Sequence, residues 1–297
     1  MSPDQQSPVR FLLTFLNKHM NYNLDRFKIA QQDSHTRALH EMKNGEKKGH
    51  WMWFTFPQIA GLGKSQTSKM YEVVNLEEAS VYLKDEVLSA RLIELTDTIV
   101  FTVHGKTPEA IFGFTDSRKL HSSMTLFHAV VSTYTQFEND NRYRCFENAL
   151  IKLFHNKLDQ RTLSILGMPN LRAPEIATRD SWEITPIINP QPLQLNLRFS
   201  DRQFFELKKG FIPRDMDDRW FIYYENEWLY FHRSWTGLGF YKAKLNKTDE
   251  GYSIDELWTE RNNVERTHEK DLYDIETISV LIDMLFRMRI PKNHKTL

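Results

Sequence analysis

Hydrophobic residues along this chain follow one period at first and a different one later, and the change restricts the architecture sharply. In NLEEASVYLKDEVLSARLIELTDTIV, the residues Leu76, Ala79, Leu83, Val87, Leu88, Leu92 and Leu95 recur at helical spacing and mark a core face. In RWFIYYENEWLYFHRSWTGLGFYKAKL, aromatic and β-branched residues run in short blocks separated by Asn226-Glu227 and by Thr236-Gly237. That is the pattern of a three-stranded antiparallel meander. Between the two regimes, from Pro169 to about Pro192, the chain turns to prolines, asparagines and isolated apolar residues, which suits a surface linker. The expected organisation is a mainly α domain over 1–168, a linker over 169–195 and a small α+β domain over 196–297. With 297 residues, 40% of them hydrophobic, the chain can bury two such cores.

Helix signals recur through the first part. After YNLD, where Asn23 or Asp25 can cap, Phe27, Ala30, Gln31, Ala38, Leu39 and Met42 keep helical spacing until Asn44-Gly45. A third helix is expected to begin near Ser122 and carry Leu126, Ala129 and Val130. A fourth carries Phe146, Leu150, Leu153 and Phe154, and DQRTLSILGMP closes the block. The early run FLLTFL is too short to span a bilayer and is expected to form a helix on the first domain. Beyond the linker, DRQFFELKKG and DIETISVLIDMLFRM are expected to place helices against the meander, which alone would be marginal.

Charge and composition exclude several classes. Lys+Arg and Asp+Glu are equal at 39 each, so no overall field draws the protein to nucleic acid or to an anionic membrane. The single cysteine, Cys145, precludes an intrachain disulfide and agrees with a reducing, cytoplasmic setting. Cys145 lies between Arg142, Arg144 and an apolar-periodic run, where packing is the commoner role and nucleophilic chemistry the rarer. Among the 11 histidines no His-Glu-x-x-His pattern offers a metal set, so no metal is expected. No Gly-x-Ser-x-Gly elbow supports triad hydrolysis, and no motif names a cofactor.

Two segments carry the candidate chemistry. GHWMWFTFPQIAGLGKSQTS contains a near-miss of a phosphate loop, but the position five before Gly63-Lys64 is Gln58 rather than glycine, and no buried strand precedes it. An NTPase is rejected. The aromatic residues are explained by core packing alone. Equally, His50, Trp51, Trp53, Gln58, Lys64 and Ser65 mix rings with polar groups in the way a small-molecule pocket requires. In FGFTDSRKLHSSMTLFHAVV, Ser122 or Ser123 can cap a helix whose positive end, with Lys119 beside it, would accept a phosphate or carboxylate. An ordinary N-cap with a solvated lysine, and a plain turn at Asp116, fit the same residues.

These residues bring out a family likeness. YNLDRF, GHWMWFTFPQIAGLGKS, AIFGFTDSRKLHSSMTLF and DQRTLSIL resemble the uncharacterised bacterial family filed as domain of unknown function eighteen-ten, whose members are sometimes mislabelled calpastatin. The resemblance covers about Tyr22 to Leu166 and implies a compact, mainly helical domain with no settled activity. Its motif residues here are His50, Trp51, Trp53, Pro57, Gln58, Gly61, Gly63, Ser65, Asp116, Lys119, Ser122, Ser123 and Thr125, whose polar character suggests a shared site. More weakly, MDDRWFIYYENEWLYFHRSWTG looks like a small domain associated with bacterial ADP-ribose metabolism, including proteins resembling ADP-ribosylglycohydrolases. The aspartate clusters of that enzyme are missing, so its metal chemistry is not implied. Within the C-terminal module, Asp217, Asp218, Arg219, His232, Arg233 and Trp235 can surround a ligand, with arginine pairing an anion and tryptophan stacking on a ring. Charged cross-strand pairs on a hairpin are the plainer alternative.

Two functions from different classes remain. In the first, the helical domain binds a small anionic, nucleotide-like or ADP-ribose-like ligand, with Trp51, Trp53, Gln58, Ser65, Lys119, Ser122, Ser123 and Thr125 around it. Any catalysis there would use His50 and Asp116 as acid and base at a glycosidic or phosphoester bond. In the second, the aromatic surface docks a protein partner in a noncatalytic interaction or sensor module. Burial of the tryptophans and convergence of the two segments discriminate between them.

Overall fold

A computed structural model describes residues 22–137, 140–215, 217–261 and 267–287. The FLLTFL segment lies outside the described residues. The chain divides into two compact units, one made of the described parts of 1–99 with 105–130 and 159–170, the other of 100–104, 131–158 and the described parts of 171–297. The division is therefore not sequential at 169–195, because residues 131–158 group with the sheet.

The first unit is helical. It contains α1 (Asp25–Gln32), α2 (His35–Lys43), the short α3 (Met52–Thr55) and α4 (Gln66–Met70), α5 (Leu76–Lys84), most of α6 (Glu86–Thr102), most of α7 (Pro108–Thr133) and, after α8 (Arg144–Phe154) in the other unit, α9 (Gln160–Leu166). The helical pattern over 76–100 is two helices rather than one. Asp85 adopts an extended ψ of 117°, accepts the Leu88 amide at 3.1 Å and so caps α6. Ala79, Leu83, Leu88, Leu92 and Leu95 are buried as the spacing requires, whereas Val87 faces outward. Tyr82 packs on Phe127 at 5.4 Å between ring centroids, and Thr96 reaches Met124.

α7 corrects a sequence expectation. Its start is Thr107-Pro108, with the Thr107 hydroxyl accepting the Ala110 amide at 3.2 Å and proline in the first helical position. The only interruption is Gly113, at φ 72° and ψ 166°, a conformation that disfavours any side chain. Ser122 and Ser123 therefore lie inside a continuous helix and cap nothing.

The second unit is built on five antiparallel strands rather than three: β1 (Pro190–Phe199), β2 (Trp220–Glu225), β3 (Trp228–Arg233), β4 (Gly239–Thr248) and β5 (Gly251–Glu260), in the order β1-β5-β4-β3-β2. The expected meander is β2-β3-β4. β1 pairs with β5 from Pro190 opposite Glu260 to Phe199 opposite Tyr252 and forms an edge, where its prolines are tolerated. Two helices, α10 (Asp201–Lys209) and α11 (His268–Arg287), supply Leu207, Ile278, Leu281, Ile282 and Leu285 to the same core as Leu229, Phe231, Ala243 and Leu257. A Ser200–Gln203 capping box fixes the start of α10. A smaller cluster of Ala177, Phe221 and Tyr223 takes in Trp182 and Ile184, so part of the expected linker packs on the sheet. The Trp182 indole donates to the Ser234 carbonyl at 2.9 Å.

The β2–β3 hairpin closes on Asn226 and Glu227, both at positive φ (50° and 68°), as a two-residue primed turn demands. Glutamate is poorly suited to the second position. Glu227→Gly is expected to raise the stability of the sheet unit by roughly 0.5–1 kcal/mol, read as an upward shift in its urea midpoint.

Candidate anion-binding site

The loop carrying the aromatic motif is held by one carboxylate. Glu41, buried on α2, accepts the Lys48 amide at 2.8 Å, the Gly49 amide at 2.9 Å and the Trp51 indole N–H at 2.7 Å. Burial pushes its carboxyl up, but the Gly49 and Lys48 amides, the Trp51 indole and Arg37 outweigh this and hold it below the ordinary carboxylate range. A side chain at Gly49 would strike the Trp51 ring at 2.7 Å. Trp51 is thus completely buried, packed near Phe56 and Phe112, and is core rather than the ligand wall its sequence context suggested.

Trp53, unlike Trp51, borders a cavity. It is half-buried, the Lys119 ammonium sits 4.0 Å from its ring centroid, and both line a cavity of about 410 Å³. The cavity is walled on one side by Gln58, Gly63, Lys64 and Ser65 and on the other by Phe114, Thr115, Arg118, Lys119 and Ser122 of α7. His121, Asp159 and Arg161 complete the polar rim. The two motif segments therefore converge on one hollow within the helical unit.

Its charge is strongly one-sided. Among the described residues, Lys64, Arg118, Lys119 and Arg161 contribute four cations against the single carboxylate of Asp159. That carboxylate is already engaged, accepting both the amide (2.9 Å) and the hydroxyl (2.5 Å) of Thr162 as the cap of α9. Among the described residues Lys64, Arg118 and Arg161 have no carboxylate partner. Lys119 donates to Asp116 at 2.8 Å, while Lys47 donates to the other oxygen of Asp116 at 2.7 Å. Burial raises the Asp116 carboxyl, but the hydrogen bonds from Lys119 and Lys47 overcome it, so the net shift is downward. A carboxylate clamped between two ammoniums holds Lys119 in place and is badly placed to take or give protons at neutral pH.

The remaining candidates separate clearly. Gln58 and Ser65 line the cavity, although the Ser65 hydroxyl caps the short α4 by accepting the Ser68 amide at 3.1 Å. Ser122 also lines it, with its hydroxyl paired to Thr162 at 2.8 Å. Ser123 is completely buried in the helix interior and does not line the cavity. Thr125 is equally buried and accepts the Asp159 amide at 2.9 Å, tying α7 to the start of α9. His50 is exposed and lies outside the cavity lining. In the sheet unit, Arg219, Arg233 and Trp235 line a second cavity, but His232 is buried with its Nδ1 3.0 Å from the Gly237 carbonyl, and Asp218 accepts the Arg214 amide at 2.9 Å. Asp217 is exposed and its amide donates to Asp215.

Sequence reasoning missed Phe114, Thr115, Arg118, His121 and Arg161. The available signal was helical: residues 114, 115, 118, 119 and 122 fall on one face of a helix that resumes after Gly113. The positive helix end that was expected at Ser122 lies instead at Phe114 and Thr115, in the cavity wall.

No helix of the described residues is long and apolar enough to cross a membrane, and no cluster of His, Cys, Asp and Glu among them could hold a metal ion. No curated protein matches the sequence. A crystal structure of a conserved hypothetical protein from Mycobacterium tuberculosis is 38% identical, with the match covering 49% of this chain and 97% of that one at a TM-score of 0.45. Neither the calpastatin label nor an ADP-ribose association for the C-terminal module finds support in these comparisons. The family described as Protein of unknown function (DUF1810) matches residues 21–166, which include every residue lining the cationic cavity, and the chain belongs to that family.

Proposed function

We propose that the helical unit binds a small phosphorylated, nucleotide-like molecule in the cavity between the aromatic loop and α7. One observation carries this reading: among the described residues, four cations face a single, already engaged carboxylate across a hollow of about 410 Å³. That volume falls in the range of small-molecule sites, and its rim offers arginine forks that match phosphate oxygens. Trp53 and Phe114 supply ring surface beside the charges, and Phe114 is 69% exposed. Asp116 serves as a positioning residue for Lys119. With Asp116 ion-paired and His50 outside the lining, the reading is one of binding, and it suits a sensor as well as an enzyme. Docking of a protein on the aromatic loop is disfavoured because Trp51 and Phe56 are buried.

Titration calorimetry of the full chain with AMP, ADP, ADP-ribose and inorganic phosphate tests this. At least one organic phosphate is expected to bind, more weakly as salt rises. Arg118→Ala and Arg161→Ala are each expected to weaken it by roughly 10- to 100-fold, the loss of one charge-assisted contact. Both arginines are exposed, so thermal stability should hold. Absence of binding by all four compounds, or affinity indifferent to both substitutions, defeats the proposal.

A further inference from the structure

A second cavity, of about 460 Å³, lies in the sheet unit beside the turn from β3 to β4, lined by Arg219, Arg233, Trp235, Thr236, Leu238 and Phe240. It differs chemically from the first. Its walls are mainly rings and aliphatic groups, and among the described residues its only charges are two guanidiniums and no carboxylate lines it. Among the described residues neither Arg219 nor Arg233 has an ion-pair or side-chain hydrogen-bond partner. The carboxylate next in sequence, that of Asp218, accepts the Arg214 amide instead.

Arg233 is half-buried, with its guanidinium 4.2 Å from the ring centroid of Trp220 and 5.5 Å from that of Phe240. Stacking occupies the faces of a guanidinium and leaves its in-plane N–H donors available, so the fork is oriented but not satisfied. A partly desolvated cation with open donors favours an anion. The neighbouring apolar surface, with Trp235 67% and Leu238 44% exposed, asks for an apolar body on that anion.

We infer that this cavity binds a small carboxylate with an aromatic or branched aliphatic body, the carboxylate paired with Arg219 and Arg233 and the body laid against Trp235, Leu238 and Phe240. A monocarboxylate fits better than a phosphate monoester, because a dianion loses more hydration on entering an apolar hollow. The inference is independent of the cationic cavity in the helical unit.

Three probes that share one ring system separate the possibilities: 2-naphthoate, the neutral 2-naphthalenemethanol and 2-naphthyl phosphate. Each is titrated into the full chain while the indole N–H resonance of Trp235 is followed. 2-Naphthoate is expected to shift that resonance and to bind at least about tenfold more tightly than the alcohol. Arg219→Gln, at an exposed position that should leave folding intact, is expected to weaken 2-naphthoate by about tenfold or more and to leave the alcohol unchanged. Arg118→Ala, in the other cavity, should leave both unchanged. The inference is overturned if the alcohol binds as well as the carboxylate, if 2-naphthyl phosphate shifts Trp235 at lower concentration, if Arg219→Gln has no effect, or if 2-naphthoate fails to bind at about 10 mM.

Discussion

Glu41→Ala is expected to lower the unfolding free energy of the helical unit by about 3–4 kcal/mol, although Glu41 touches no ligand. The substitution removes the acceptor for the Trp51 indole, which is completely buried and has no water to replace it. It also releases the amides of Lys48 and Gly49, which set the path of the loop into α3. Bonds to a charged acceptor contribute about 1.5–3 kcal/mol each, and solvent can recover part of the Lys48 term because that residue is exposed. Glu41→Gln keeps one acceptor oxygen and should lose roughly half as much. The measurement is hydrogen exchange of α2 and α3 amides, which reports this unit separately from the sheet. The effect has a pH signature. Because the folded-state pKa of Glu41 is depressed, its contribution is fully present above the ordinary carboxylate range and disappears as pH falls through the folded value. Wild type and Glu41→Gln should therefore converge in stability as pH falls through that folded value, below the ordinary carboxylate range. A Glu41→Ala cost under about 1 kcal/mol would show that the loop holds without its anchor.

Amphipathic periodicity located the helices well, because burial of Leu88, Leu92 and Leu95 is decided by spacing alone. It did not locate their breaks, since Asp85 and Gly113 act through backbone dihedrals that a polar residue or a glycine permits without requiring. The meander was readable from Asn226-Glu227 and the aromatic runs, while β1 was not. Its LQLNLRF alternates cleanly, but two flanking prolines gave it the look of a linker, and only pairing with β5 makes them edge residues. At the candidate site, residue types indicated a cation and a tryptophan but not which tryptophan. Trp51 and Trp53 are two residues apart, and the choice falls to Glu41, ten positions upstream of Trp51, which takes one indole into the core and leaves the other to Lys119. The misplacement of the helix start at Ser122 has a similar origin: Ser-Ser is a good cap in isolation, and a helical stretch already running from Phe114, just past the Gly113 break, overrides it.

Glu206→Ala is expected to cost the second unit about 3–5 kcal/mol, because it unbalances a buried charge cluster that no sequence pattern announced. Glu206 on α10 lies against the Arg144 guanidinium at 2.6 Å and the Lys209 ammonium at 2.7 Å, and its other oxygen accepts the Asn148 amide at 2.9 Å. The contacts at Oε2 are ion pairs whose angles fall outside hydrogen-bond geometry, so charge balance matters more there than directionality. Lys209 also donates to Asn148 at 3.0 Å and reaches Glu147 at 3.4 Å, and all five side chains are buried. With Glu206 present, two cations face two carboxylates. Without it, Lys209 keeps Glu147 at 3.4 Å while Arg144 keeps the carbonyls of Leu285 and Phe286, and an uncompensated charge stays in a poorly solvated place. Joining α8 to α10 through charge rather than apolar contact has a consequence that distinguishes the mechanism. The double substitution Arg144→Met with Glu206→Met should cost clearly less than the sum of its single changes, since it removes the unpaired charge along with the pair. Hydrogen exchange of α8 and α10 amides across the four-member cycle gives the coupling directly. Strict additivity would mean that the cluster contributes as separate side chains, and that what holds α8 to α10 must be sought in their apolar packing.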